Sequence, residues 1–382
     1  MSAIQLAASS PSAGGAAMDQ VIIATVGAMI TTSALLVLGI GHRTGRFRLL
    51  GWAAGHASRM SGVPPWAALP AAVSAGALVI ALFGMLWDIS LHIDDGRDEG
   101  PLANPAHHFI LVGLFGVFAS GYLAMVLPKG RPSATAIRIT RDWYVPLGGA
   151  LIAVCGSFSL IAFPLDDGWH RLFGQDVTLW GPTHLMLIGG AATTLVGVAV
   201  LLVESRRASA AAGAEREKGW AMGARGVALT GAFLLGLSTF QAEFDFGVPQ
   251  FRFVFQAMLI MLAAAAGLVA ARIWLGRGAA IGAALFFIAV RGLIALLVGP
   301  VLGEAVPHFP LYLAEAAIVE LVALRVSTGG RSALRFSVEP LSERWDSPRS
   351  GAGRTSSCSC PGPRSSCPRR HCSAWRWPSA GR

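Results

Sequence analysis

Residues 145–203 read VPLGGALIAVCGSFSLIAFPLDDGWHRLFGQDVTLWGPTHLMLIGGAATTLVGVAVLLV. Two apolar runs, 145–164 and 182–203, flank a polar stretch carrying Asp166, Trp169, His170 and Asp176, with His184 at the start of the second run. Each run matches the roughly 20 residues that cross a hydrocarbon core of about 30 Å. The stretch predicts a helical hairpin in a bilayer, with ionisable groups gathered at its turn.

The rest of the chain repeats that texture. Apolar residues make up 54% of the 382 and charged residues 13%, with a mean hydropathy of +0.58. A soluble protein of that composition would lack the polar residues to cover its outside. Apolar runs fall at 20–41, 67–87, 105–128, 145–164, 182–203, 222–242, 252–274, 279–300 and 307–326, which predicts an all-α integral membrane protein with about nine transmembrane helices. Residues 1–19 are read as an extracytoplasmic segment, 20–326 as the transmembrane domain and 327–382 as a cytoplasmic tail. Met1–Gln20 has no basic region, so the run that follows is expected to be a first membrane helix and not a cleaved signal.

Lys and Arg alternate between loops. Arg43, Arg46, Arg48 and Arg59 follow the first run; Lys129, Arg131, Arg138 and Arg141 the third; Arg206, Arg207, Arg216, Lys218 and Arg225 the fifth; Arg272 and Arg277 the seventh. The intervening loops are acidic and hold six of the nine histidines. Basic loops stay in the cytoplasm, so the acidic turns are expected outside, in a plasma or inner membrane. The net charge of +9 is thus a topology signal plus a basic tail, and gives no reason to propose nucleic-acid binding.

One polar pattern is written twice in the outer turns: Asp88, His92, Asp98, Pro105 and His107, then Asp166, His170, Asp176, Pro182 and His184. The leading Asp is expected to close the upstream helix, and the Pro to open the downstream one, where its missing N–H has no intrahelical partner anyway. Pro249 before Gln250 and Pro307 before His308 extend the scheme to four hairpins, from an ancestral unit multiplied and then diverged. Imidazole nitrogen with carboxylate oxygen suits borderline metals such as copper, zinc or iron. Asp166, His170 and His184 form one candidate ligand set, and Asp88, His92 and His107 a second. Asp98, Asp176, Trp169 and His108 are candidates to steady those ligands, with Trp87 flanking the first site. The plainer reading is interfacial anchoring, since His and Trp also settle at headgroups.

The run Asp166-Asp167-Gly168-Trp169-His170, with Asp176-Val177-Thr178 and Pro182-Thr183-His184, resembles the metal-site segment of a transmembrane subunit of the copper membrane monooxygenases, the particulate enzymes that oxidise methane or ammonia. In that family an Asp, a following His and a His in a later Pro-x-His bind copper within that subunit. The resemblance implies copper on Asp166, His170 and His184, and by internal repetition on Asp88, His92 and His107. It also implies other membrane subunits as partners. It covers about 20 residues per copy. This chain has two copies where the family has one, more spans, and no downstream Asn and His pair for a neighbouring copper site.

Charges within spans are costly and need partners or cavities. At about 1.5 Å per residue, Arg291 and Glu315 lie roughly 12 to 14 Å from the outer boundary and are placed to pair as a clamp. A proton route through Glu315 and Glu320 is the alternative. Glu243 and Asp245 are placed either to add ligands to a shared site or to sit at the interface. Gly113, Gly116, Gly121, Gly223, Gly226 and Gly231 read as close helix packing. The tail from Ser342 lacks Leu, Ile, Val, Met and Phe, so it reads as disordered or as a translated wrong frame, and Cys358, Cys360, Cys367 and Cys372 match no metal spacing. Two function classes stand: an oxidoreductase-like metal protein, or an ion transporter, carrier or assembly factor without redox chemistry. Bis-histidine haem ligation is a weaker third, because the histidines lie at helix ends.

Overall fold

The computed structural model describes residues 17–94, 100–173, 178–213 and 219–328. The tail cysteines, Asp98 and Asp176 lie outside the described residues. Ten helices follow in order: α1 Met18–Arg43, α2 Leu49–Ser61, α3 Pro65–Asp94, α4 Pro105–Val126, α5 Leu147–Phe173, α6 Pro182–Ala211, α7 Gly219–Ser238, α8 Val254–Leu275, α9 Ala279–Leu296 and α10 Leu313–Thr328. A short antiparallel hairpin, β1 Ile137–Thr140 and β2 Trp143–Val145, joins α4 to α5. The protein is an all-α multi-pass membrane protein. Among the described residues eight helices are long and apolar enough to cross a bilayer: α1, α3 to α6, α7 extended to Asp245, α8, and α9 extended to Val301. Large apolar side chains stand exposed along them, such as Val154, Phe158 and Ile161 on α5 and Met258, Met261 and Leu262 on α8. Contiguous apolar surface of that extent is suited to lipid and ill suited to water.

The first two hairpins are the same packed unit. At Gly113 of α4 a Cβ would come within 2.6 Å of the Ala81 Cβ and 2.7 Å of the Ala77 carbonyl oxygen of α3. At Gly190 of α6 it would meet the Ser159 Cβ at 2.8 Å and the Cys155 oxygen at 3.0 Å on α5. Ala77 corresponds to Cys155, Ala81 to Ser159 and Gly113 to Gly190, so both hairpins cross at the same register on a glycine that lets the backbones touch. Gly267 of α8, 77 residues beyond Gly190, takes the Leu234 side chain of α7 in the third hairpin.

Two apolar cores follow from this pairing. One gathers Ala124, Ile152, Leu195, Val198 and Leu201 from α4, α5 and α6. The other gathers Leu234, Leu268, Ala280, Phe287 and Ala316 from α7 to α10. Leu86 of α3 packs with Ile294 and Val298 in a smaller cluster. At the arginine-rich end, Glu204 of α6 closes the start of α5 by accepting from the Leu147 and Gly148 N–H groups at 3.1 and 2.9 Å, and from Ser133 at 2.7 Å. Arg43 of α1 donates to the Pro128 and Asp142 carbonyls, both at 3.3 Å, and lies over the Trp143 ring. At the opposite end the Leu102 N–H donates to Gln20 of the same α1 at 2.8 Å, so α1 runs parallel to α4.

Three expectations need correction. Pro105 and Pro182 do open α4 and α6. Pro249 and Pro307 do not open helices: α8 starts at Val254 and α10 at Leu313. The Gln250 N–H donates to Glu243 at 3.1 Å, which draws that segment away from a helix. In the fourth hairpin, Val306 and Phe309 each precede a proline and are thereby biased to extended backbone. This extended strap is held by its neighbours: Ala305 N–H donates to Asp94 at 2.9 Å, Ser90 donates to the Ala305 carbonyl at 2.9 Å, and His308 N–H donates to the Asp245 carbonyl at 2.8 Å. Non-helical backbone at membrane depth is tolerated when its polar groups are met by protein in this way. The expected span at 307–326 is therefore a strap followed by a helix of 16 described residues. Finally, neither leading Asp closes its helix, since α3 runs on to Asp94 and α5 to Phe173.

Candidate metal centre

Because α5 continues past Asp166, Asp166 and His170 stand one turn apart on one helix face. Pro182 starts α6 beside them and puts His184 in its first turn. His170 Nε2 lies 3.3 Å from Asp166 Oδ2, and His184 Nε2 lies 3.4 Å from Asp166 Oδ1. The two rings are 5.4 Å apart. One ligand atom from each residue falls within 4.8 Å of the others, and no other such trio occurs among the described residues. For metal–ligand bonds of about 2.0 to 2.1 Å, the edge of a tetrahedron is about 3.3 to 3.4 Å, the size of each nitrogen–oxygen distance here, with the two nitrogens facing the two different oxygens of the Asp166 carboxylate.

The hydrogen bonds around the trio sharpen this. His184 Nδ1 lies 3.1 Å from the Thr178 carbonyl, which can only accept, so Nδ1 carries the hydrogen and a neutral ring turns its Nε2 lone pair on Asp166. Two acceptors facing each other need a proton or a cation between them. Thr183 donates to Asp166 Oδ1 at 2.5 Å and steadies the carboxylate. Asp167 is taken up by a bidentate pair with Arg171 at 2.8 and 3.0 Å. All three candidate ligands are half-buried, reachable from the end of the bundle.

The first copy is arranged differently. His107 Nε2 is 3.1 Å from Asp88 Oδ1, and His107 Nδ1 meets the Pro101 carbonyl at 2.9 Å, six residues back, as His184 meets Thr178. His92, however, turns Nδ1 to the Asp88 backbone carbonyl at 2.8 Å and stands 3.4 Å from the Asp88 carboxylate through that same nitrogen. A nitrogen donating its hydrogen to a carbonyl offers no lone pair to a metal. The structure thus assembles Asp166, His170 and His184, and brings Asp88 only to His107 as a ligand partner.

Two residues were missed from sequence, Asn104 and Thr183, each of which donates to the leading Asp of its hairpin. Asn104 caps α4, accepting from Ala106 N–H at 2.8 Å while donating to Asp88 at 2.6 Å. Aligning the turns sets Asn104-Pro105-Ala106-His107 against Gly181-Pro182-Thr183-His184. The polar donor has moved by two residues and the carboxylate keeps one in both copies. That exchange is the signal a comparison of the copies contains.

Glu243 stands outside the trio but supports one of its members. Its Oε1 accepts from the Thr178 hydroxyl at 2.7 Å and from Leu179 N–H at 2.6 Å, which fixes the residue whose carbonyl orients His184. Glu243→Gln should weaken metal binding about 10- to 100-fold, the usual cost of losing such outer support. Competition against a chelator on the folded variant measures this, and an unchanged affinity would show that Thr178 holds its place alone.

The other candidates are placed elsewhere. His108 is exposed, about 100° round α4 from His107. Trp169 packs on Phe173 with ring centres 4.3 Å apart, and Trp87 against Phe83 and Phe109, and the indole N–H groups of both are buried without a hydrogen-bond partner among the described residues. Arg291 pairs with Asp245, not with Glu315. The expected clamp failed because α10 begins only at Leu313, leaving Glu315 in its first turn. Glu320 pairs with Arg272 at 2.9 Å and accepts from Ala280 N–H at 3.1 Å, closing the start of α9. Comparison with known protein families, with curated proteins and with solved structures finds no match for this chain.

Proposed function

We propose that this chain is a metal-binding membrane protein whose Asp166, His170 and His184 hold one copper ion, and that the site serves oxidative chemistry of the kind carried out by the copper membrane monooxygenases. The observation that supports this is the trio itself: two imidazole nitrogens at 3.3 and 3.4 Å from the two oxygens of one carboxylate, with one ligand atom from each residue within 4.8 Å of the others. Two nitrogens and an oxygen suit copper, which also heads the affinity order of the divalent first-row metals. Copper, once bound, supplies one-electron chemistry. The chain's own residues hold it: Thr183 steadies the carboxylate, and Thr178 keeps His184 in the ligating tautomer.

The site lies at the end of the bundle opposite Arg43, Glu204 and the β-hairpin, which by the distribution of Lys and Arg is the extracytoplasmic end of a plasma or inner membrane. Storage or catalysis is favoured over ion transport. Arg291, Glu320 and Asp245 are engaged with one another's elements, and the space beneath His184 is apolar. The resemblance adds other membrane subunits as partners. The test is metal retention by the detergent-purified protein after copper loading and dialysis. One tightly held Cu²⁺ per chain, with nitrogen couplings from two imidazoles in its electron spin resonance spectrum, is expected. A wild-type protein that retains neither copper nor zinc overturns the proposal.

A further inference from the structure

His184 belongs to two features at once. It is a member of the trio, and it lines the outer end of an elongated cavity of about 490 Å³ between α3, α6 and α7, closed behind by Phe286 and Val290 of α9. The cavity continues to Leu202 and Arg225 at the arginine-rich end. Along α6, His184 to Leu202 is about 27 Å at about 1.5 Å per residue, nearly the whole hydrocarbon core of about 30 Å. So small a volume over that length leaves a channel about one hydrocarbon chain across.

The wall between the ends offers nothing polar. Ser74 is bonded to Ser120 at 2.6 Å and Thr239 to the Leu235 carbonyl at 2.9 Å, and the rest is chiefly alanine, leucine, isoleucine and valine. A water there would lack the two to four polar partners it needs, while leaving such a space empty is costly. Ala72, Ala75 and Val79 line the cavity and are also exposed, so it opens sideways to lipid.

We infer that this cavity binds a single-chain isoprenoid lipid, taken sideways from the bilayer and laid along α3, α6 and α7 with its polar head at His184. Length selects the class. A phospholipid acyl chain stays within its own leaflet, about half of the core, whereas a long prenyl chain fills a channel that crosses both. The orientation follows from the proposed metal centre, which lies at the His184 end, whereas at the other end Arg225 donates to the Ser61 carbonyl at 3.0 Å. Binding of the chain stands on the cavity alone. Only the meeting of its head with the metal centre rests on the proposed function.

The test is photolabelling of the full-length protein in lipid nanodiscs. The probes are a long-chain prenol carrying a diazirine at its tail, the same prenol with the diazirine at its head, and phosphatidylglycerol with a diazirine at its acyl end. The tail probe should label peptides of α3, α6 and α7, and the head probe the segment around His184. Ala232→Phe and Ala228→Phe, at two depths of the cavity, should each lower the yield about tenfold at unchanged melting temperature, because a filled cavity leaves the chain no seat. Val154→Phe, on the lipid-facing side of α5, should leave it unchanged. Equal labelling of wild type and both filled variants overturns the inference, as does phospholipid labelling as strong as that by the prenol. Head adducts at Arg225 would overturn the orientation. His184→Ala should keep the tail adducts while losing metal, so failure of the metal site and failure of the lipid site are separately visible.

Discussion

Changing His170 and His184 together to alanine will leave the protein folded and without tightly held metal. The two imidazoles supply both nitrogens of the trio, and what remains is the Asp166 carboxylate with its bond from Thr183. Loss of an outer supporting group alone costs about 10- to 100-fold in affinity, so loss of two ligands should exceed a hundredfold. Both rings sit at helix ends and are half-buried, so little apolar packing goes with them. The matched control is His92→Ala with His107→Ala. There His92 is turned to the Asp88 backbone carbonyl, and the variant should keep the metal stoichiometry of the wild type. Metal content by elemental analysis, beside circular dichroism for fold, reads both. Equal metal in the His170 and His184 variant would remove the basis for the site, and loss only in the control would assign it to the other hairpin.

What was legible in the sequence is what depends on local composition. Apolar runs place eight of the nine expected spans, because a helix in lipid must bury every backbone polar group within itself and announces this by length. The exception at 307–312 is instructive. Two X-Pro steps hold that segment extended, and its backbone is satisfied by Asp94, Ser90 and the Asp245 carbonyl, side chains and main chain that lie more than sixty residues away. No hydropathy window carries that information. The candidate ligands were legible as a doubled pattern, but whether they converge was not. The difference between His170 and His92 is one ring orientation, decided by whether Nε2 or Nδ1 faces the carboxylate. Ion partners escaped for the same reason. Arg291 was matched to an acid on the following helix when its partner sits at the end of α7, and Glu320 finds Arg272 on α8.

Substituting Arg291 with methionine will destabilise the bundle by about 3 to 5 kcal/mol, the cost of leaving a buried charge without its counter-ion. The Arg291 side chain is 3% exposed and that of Asp245 is 1% exposed, so water cannot take the missing partner's place. Among the described residues Asp245 has no second anchor for its side chain, since its Oδ1 is buried without a hydrogen-bond partner there. The strap is affected as well, because His308 N–H hangs on the Asp245 carbonyl and Arg291 lies over the Phe309 ring at 5.4 Å. Asp245→Leu combined with Arg291→Met removes both charges and should recover most of the loss, as well-packed apolar replacements of buried pairs do. Unfolding in detergent as a function of denaturant measures all three proteins. A single variant that loses less than about 1 kcal/mol, the worth of an exposed pair, would show that the pair is wet, and a double variant no better than the single would show that packing and not charge is at stake. The outcome also bears on the repeat. Asp245 ends the upstream arm of the third hairpin as Asp88 and Asp166 lie near the ends of theirs, with an arginine where they have imidazoles. If the double variant is stable and still binds metal as the wild type does, the third aspartate serves packing near the strap, and the metal chemistry belongs to the hairpins that kept their histidines.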